Sequence, residues 1–187
     1  MDTSIYLHIP FCESKCIYCD FASFAGKESL FERYVAHLCD EIKLSPYIDA
    51  NVTSIFIGGG TPSLLNEQQI KAVLDTIKTK FSVASDCEIT IECNPNSIDK
   101  EKLLEYFNFG INRISFGVQS LDDDVLKFLG RRHNKMQALN AIQIAKDVGF
   151  KNVNADLLIG LKSPISLSQQ VDELLDAGVT HVSAYML

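Results

Sequence analysis

Val52-Thr53-Ser54-Ile55-Phe56-Ile57-Gly58-Gly59-Gly60-Thr61-Pro62 is the stretch from which the architecture can be read. Residues 52–57 form a compact apolar run of strand length, and the glycines with Thr61-Pro62 stop it. Asn66-x-x-Gln69 then supplies a capping-box pattern ahead of Ile70, Val73, Leu74 and Ile77 at helical spacing. Strand, glycine loop and helix thus follow one another. The unit recurs at once: residues 87–93 alternate through Glu88-Ile89-Thr90-Ile91-Glu92, halt at Asn94-Pro95-Asn96, and give way to a helix carrying Leu103, Leu104 and Phe107.

Upstream, Ile5-Tyr6-Leu7-His8-Ile9 reads as a short strand ending at Pro10. In the helix predicted over 28–43, Leu30, Phe31, Tyr34, Val35, Leu38 and Ile42 share one stripe with Cys39, which marks Cys39 as a core thiol. Downstream, Gly110, Gly149 and Gly178 each stop a helix ahead of a strand, at 113–118, 153–159 and 181–186. The stretches 125–129, 138–148 and 171–175 read as the intervening helices, the last opening with Ser166-x-x-Gln169. Six strands alternating with helices imply parallel pairing and right-handed crossovers. The choice lies between a closed or partial TIM-like barrel and an open doubly wound sheet. The chain stops on its sixth strand without a covering helix, so the expectation is one domain over 1–187 that forms the N-terminal part of a longer protein.

At 187 residues, 47% hydrophobic and 22% charged, the chain has the usage of one globular domain. It opens without a basic, apolar leader and contains no run of about 18 apolar residues, so the expected location is the cytoplasm. In that compartment six cysteines read as metal ligands plus reduced core thiols. A net charge of -7 argues against non-specific binding to nucleic acid or anionic membranes, and Arg131-Arg132-His133 is the one compact basic stretch.

Cys12-Glu13-Ser14-Lys15-Cys16-Ile17-Tyr18-Cys19 places three thiols at C-x3-C-x2-C spacing, within reach of one metal centre. Structural zinc is closed by four ligands, whereas a [4Fe–4S] cube takes one thiolate per iron and can leave its last iron free. The cluster reading fits three thiols better. Zinc completed by Cys39, Cys87, Cys93 or His8 is the alternative, and disulfide pairing a weaker one. Phe11, Tyr18, Phe21 and Phe24 are expected to crowd this loop as an apolar shell.

In α/β barrels the working residues gather at the C-terminal ends of the strands. Those ends carry the cysteine triad, 58–61, Glu92, Gln119 and Asp156. Gly59 and Gly60 could present bare carbonyls to a ligand ammonium group, although glycine clusters more often only make turns. Glu92, inside an apolar strand, needs a ligand or an internal base as partner. Asn152, Asn154 and Asp156 share a face, which is either a ligand-filled interior or a solvated exterior. His8 shares a face with Tyr6, but a lone histidine is more often a satisfied core residue than a ligand.

Together, His8-Ile9-Pro10-Phe11-Cys12, the triad ending Cys19-Asp20-Phe21, Gly58-Gly59-Gly60-Thr61-Pro62, Glu92-Cys93-Asn94-Pro95 and Gly117-Val118-Gln119-Ser120 resemble the radical S-adenosylmethionine (SAM) superfamily. Within it they look like the group of oxygen-independent coproporphyrinogen III oxidases and HemW-type heme chaperones. Leu129-Gly130-Arg131-Arg132-His133, Asn154-Ala155-Asp156-Leu157 and His181-Val182-Ser183-Ala184-Tyr185 extend the likeness along the chain.

The resemblance implies a (βα)6 partial barrel whose Cys12, Cys16 and Cys19 hold a [4Fe–4S] cluster, with SAM chelating the fourth iron. It also implies SAM contacts from Tyr6, Tyr18, Gly59, Gly60, Thr61, Glu92, Gln119, Arg131 and Asp156, for one SAM or two. A reduced cluster in such proteins cleaves the sulfonium to give a deoxyadenosyl radical, and the protein supplies orientation and a dry site. The oxidases carry a further cysteine two residues after the third ligand, where this chain has Phe21, and a longer segment before the triad. Both differences favour a heme chaperone that passes heme to acceptor proteins, with the oxidase as alternative and an electron donor as a further partner. Lys162 stands where relatives typically show proline, and those relatives continue well beyond residue 187.

Overall fold

The computed structural model describes residues 2–47 and 50–187. Strands β1 (Asp2–Ile9), β2 (Asn51–Gly59), β3 (Ser82–Cys93), β4 (Arg113–Gln119), β5 (Asn152–Ile159) and β6 (His181–Met186) form one parallel sheet in sequential order. Helices α1 (Phe31–Leu44), α2 (Glu67–Lys80), α3 (Lys100–Asn108), α4 (Asp123–Phe128), α5 (Lys135–Val148) and α6 (Leu167–Asp176) make the crossovers. β1 and β6 are the two edges and do not pair with each other, which rules out a closed barrel, and the strictly sequential order has no reversal of the doubly wound kind; the sheet curls into a half-barrel. This is the partial TIM-like (βα)6 arrangement, and neither the closed barrel nor the open doubly wound sheet.

Period-two alternation divides every strand between two environments. Leu7, Ile9, Ile55, Ile57, Ile89, Ile91, Ile114, Phe116, Val153, Ala155 and Leu157 face outward and are buried beneath the helices. The helices return Val35, Cys39, Ile70, Leu74, Ile77, Leu103, Ile142 and Leu174 to the same core. The other strand face is concave and polar, with Glu92, Ser115, Asn154 and Asp156 pointing into the half-barrel. Burial of the outer face therefore determines which residues are offered to a ligand.

Helix starts follow their capping chemistry. Asn66 with Gln69 and Ser166 with Gln169 form the reciprocal boxes that their spacing predicts. Asn134 with Gln137 makes a third, so α5 begins three residues before the expected start at 138. In α3 the buried pair is Leu103 and Tyr106, both 0% exposed, whereas Leu104 and Phe107, also read as part of this helix, are 44% and 41% exposed. The i, i+3 pair faces the sheet, and Phe107 instead rests edge-on against Phe150 at 5.2 Å. A two-residue ladder between Phe11–Cys12 and Phe24–Ala25, too short to leave a sequence signal, ties both ends of the cysteine loop together.

Candidate functional site

At the C-terminal ends of the strands the concave face opens into a cleft of about 350 Å³. Small-molecule sites commonly have this size. Its walls carry Cys12, Cys16, Cys19, Tyr18, Gly59, Gly60, Thr61, Glu92, Gln119, Arg131 and Asp156. Of the cluster ligands and SAM contacts that the resemblance implies, only Tyr6 lies outside that lining. Its hydroxyl instead meets His8 Nδ1 at 2.9 Å and its ring stacks on Phe56.

The cysteine loop is held by contacts to its backbone. His8 Nε2 donates to the Ala22 carbonyl at 2.8 Å, and Lys15 Nζ donates to the Phe21 carbonyl at 2.7 Å and Ser23 Oγ at 3.1 Å. Cys12, Cys16 and Cys19 are half-buried free thiols. Among the described residues no three His, Cys, Asp or Glu side chains meet around one ion.

Cys39 is buried within α1, Cys87 is buried with its thiol pushed up by desolvation, and Cys93, against the cleft wall, is pushed up to about 12 by complete burial. Phe11 alone of the expected aromatic shell is deeply buried, packing on Phe31 and Tyr34. Phe21 and Phe24 are 65% and 58% exposed, because the loop crosses the open end of the sheet where only the residue nearest α1 finds partners.

Gly60 is a glycine for a structural reason first. Its N–H donates to the Ile9 carbonyl at 2.8 Å, the next N–H, from Thr61, donates to Phe11 at 2.7 Å, and a Cβ on Gly60 would lie 2.5 Å from the Phe11 oxygen. The loop after β2 is thus laid directly across the chain entering the cysteine loop, and Thr61 Oγ1 reaches Cys12 Sγ at 3.7 Å.

Glu92 has no basic partner among the described residues. Its Oε2 accepts the Gly59 N–H at 2.9 Å. Burial raises its pKa to about 7, opposed by the Gly59 N–H and reinforced by Asp156. The internal ion pair considered from the sequence is therefore absent there. Asp156 accepts from Asn154 at 2.9 Å and Ser115 at 3.2 Å, and burial holds its pKa above the usual carboxylate value despite these bonds. Asn154 and Asp156 face the interior, while Asn152, on the same strand side, lies at the exposed start of β5.

Arg131 joins the two halves of the cleft. Nη2 donates to Asn94 Oδ1 at 2.6 Å and to the Gly117 carbonyl at 2.7 Å, and Nη1 approaches Cys16 Sγ at 3.7 Å, while Nε is buried without a partner. Arg132 pairs with Glu13 at 2.7 Å, and desolvation lowers the pKa of the buried His133 to about 4. Arg131-Arg132-His133 is accordingly no basic surface patch: one charge points into the cleft, one is paired and the histidine is neutral. Asn94 was not singled out from the sequence, although it closes the quoted Glu92-Cys93-Asn94-Pro95 motif at a strand end.

A buried carboxylate without a base, an orphaned guanidinium nitrogen and three free thiols on one wall fit a cluster with a zwitterionic nucleoside beside it. The chain belongs to the radical SAM superfamily, whose family model matches residues 6–164. Within the superfamily it is similar to the heme chaperone HemW of Haemophilus influenzae, 40% identical over 98% of this chain and 50% of that protein. The heme chaperone HemW of Escherichia coli is 39% identical with the same coverage. Among solved structures, coproporphyrinogen III oxidase (HemN) from Escherichia coli, a radical SAM enzyme, superposes with a TM-score of 0.89 at 28% identity, over 98% of this chain and 43% of that one. The chain spans about half the length of the curated relatives it matches.

Proposed function

We propose that residues 1–187 are the radical SAM core of a heme chaperone of the HemW type, which binds heme and passes it to acceptor proteins. The observation that carries this reading is similarity at about 40% identity to heme chaperones over 98% of the chain. Phe21 at the cleft mouth, where the oxidases carry another cysteine, points the same way. In this reading Cys12, Cys16 and Cys19 hold a [4Fe–4S] cluster and the cleft holds SAM. When bound, the pair supplies one-electron reductive cleavage of a sulfonium.

The chain's own part is binding, orientation and exclusion of water. Carbonyls of Gly59 and Gly60 can accept an ammonium group, and Arg131 can pair with a carboxylate. Glu92 and Asp156 can accept from ribose hydroxyls, while Thr61, Gln119 and Tyr18 border the nucleoside and Tyr6, outside the cleft lining, would reach it only by leaving His8. The apolar outer core and the loop crossing at Gly60 keep the cysteine wall in one place. Among the described residues no helix is long and apolar enough to cross a membrane, and we place the protein in the cytoplasm with no nucleic-acid partner.

The test uses anaerobically reconstituted protein. Visible and EPR spectra should show a [4Fe–4S] cluster whose signal changes on adding SAM, and titration should show stoichiometric heme binding. The HemN superposition makes the oxidase the second reading. Protoporphyrinogen formed from coproporphyrinogen III over many turnovers, without heme binding, would decide for it.

A further inference from the structure

Gln119 is the only non-glycine residue with positive φ (68°) among the described residues. Ser120 N–H donates to the Val118 carbonyl at 2.9 Å, closing a three-residue turn around Gln119. A γ-turn with positive φ is the rare, strained form, and such strain persists only where surrounding contacts over-determine it. It also breaks the β4–β5 register between Phe116 and Gln119. The turn directs the Gln119 amide over Gly117 beside Arg131: a Cβ on Gly117 would lie 3.0 Å from Gln119 Nε2 and 3.2 Å from Arg131 Nη2.

Two buried side chains outside the cleft grip this turn. His133 Nε2 donates to the Val118 carbonyl at 3.0 Å. Gln170, on α6 and 8% exposed, accepts from Leu121 N–H at 2.8 Å and from Ser120 Oγ at 3.3 Å through one oxygen, Oε1. Its Nε2 donates to the Ile165 carbonyl at 3.2 Å, in the loop after β5. Ser120 Oγ in turn accepts from Asp122 N–H at 3.1 Å. A glutamine buried only to dock α6 needs partners for its amide. It does not need to spend its carbonyl on the two residues that follow a strained cleft residue.

We infer that Gln170 is a positioning residue for ligand binding: it holds the strained turn and so aims the Gln119 amide into the cleft, linking the loop after β5 to the site. The inference rests on the reading of the cleft as a SAM site. Losing the grip lets residue 119 relax to an ordinary negative φ, which swings its side chain away. The signature is that Gln170 acts only through Gln119.

A double-mutant cycle reads this directly. SAM affinity is measured from the concentration dependence of the SAM-induced EPR change in reconstituted protein. Gln170→Leu and Gln119→Ala are each expected to weaken SAM about tenfold with iron and sulfide content unchanged, the scale of one good hydrogen bond. The double variant should be no weaker than the poorer single one. Hydrogen exchange at the Leu121 amide, which needs no cofactor, should quicken in Gln170→Leu. Unchanged affinity in Gln170→Leu, or losses that multiply in the double variant, would overturn the inference. Should Gln170→Leu fail to fold, Ser120→Ala, which removes one donor to the same oxygen, takes its place in the cycle under the same criteria. A wild-type cluster with no SAM response sinks the SAM reading itself, and this inference with it.

Discussion

Glu92 accepts a single backbone N–H and faces Asp156 rather than a base, and its pKa of about 7 follows from that setting. Because the folded value lies above the ordinary 4.5, the protonated form favours the fold. Its contribution to stability is full below the ordinary value and lost as pH rises through about 7. Glu92→Gln is therefore expected to raise the melting temperature of the ligand-free protein at pH 8 and to change little at pH 5. Hydroxyl donors from a bound nucleoside favour the ionised carboxylate, so wild-type affinity for SAM should increase from pH 6 to pH 8. A flat profile would remove Glu92 from the nucleoside contacts. The thiols divide by surroundings in the same way: Cys16 lies on the cleft wall and Cys39 is sealed in α1. Cys16→Ala should lose the cluster on reconstitution and Cys39→Ala should keep it, as iron and sulfide analysis will report.

At the scale of elements, the crossing of the β2 loop over the entry to the cysteine loop joins fold to site. Two backbone bonds, from Gly60 to Ile9 and from Thr61 to Phe11, are made where there is no room for a Cβ. Gly60→Val is expected to cost roughly 1–3 kcal/mol, the usual penalty of overpacking, seen as a lower midpoint in denaturant. It should lower cluster yield as well as SAM affinity, because the displaced chain carries Cys12. A variant with normal stability and cluster content but weak SAM binding would instead assign Gly60 to the ligand alone. The crossovers themselves were legible because capping boxes at Asn66 and Ser166 and the stop at Gly149 are local chemistry. The short ladder tying Phe11–Cys12 to Phe24–Ala25 was not, since two residues carry no periodicity.

For the molecule as a whole, the half-barrel runs from β1 to β6, and its polar concave face lies between these two strands. The order of the elements, their parallel pairing and the cysteine triad are legible in the amino-acid sequence, because βα periodicity, capping and ligand spacing are set by covalent geometry over a few residues. Strand ends in such a barrel collect on one rim, so the cysteine triad, Gly59 to Thr61, Glu92, Gln119 and Asp156 could be named as cleft residues, whereas Asn94 and Gly117, which also line it, could not. What those residues do to one another depends on contacts between distant parts of the chain. The tertiary structure sets Arg131 against Cys16, 115 positions away, turns an apparent basic patch into a cleft cation and a neutral histidine, and leaves Glu92 without a base. The curl of the sheet and the register shift ending at Gln119 create these contacts. Both arise from packing many distant residues at once, which no local pattern encodes.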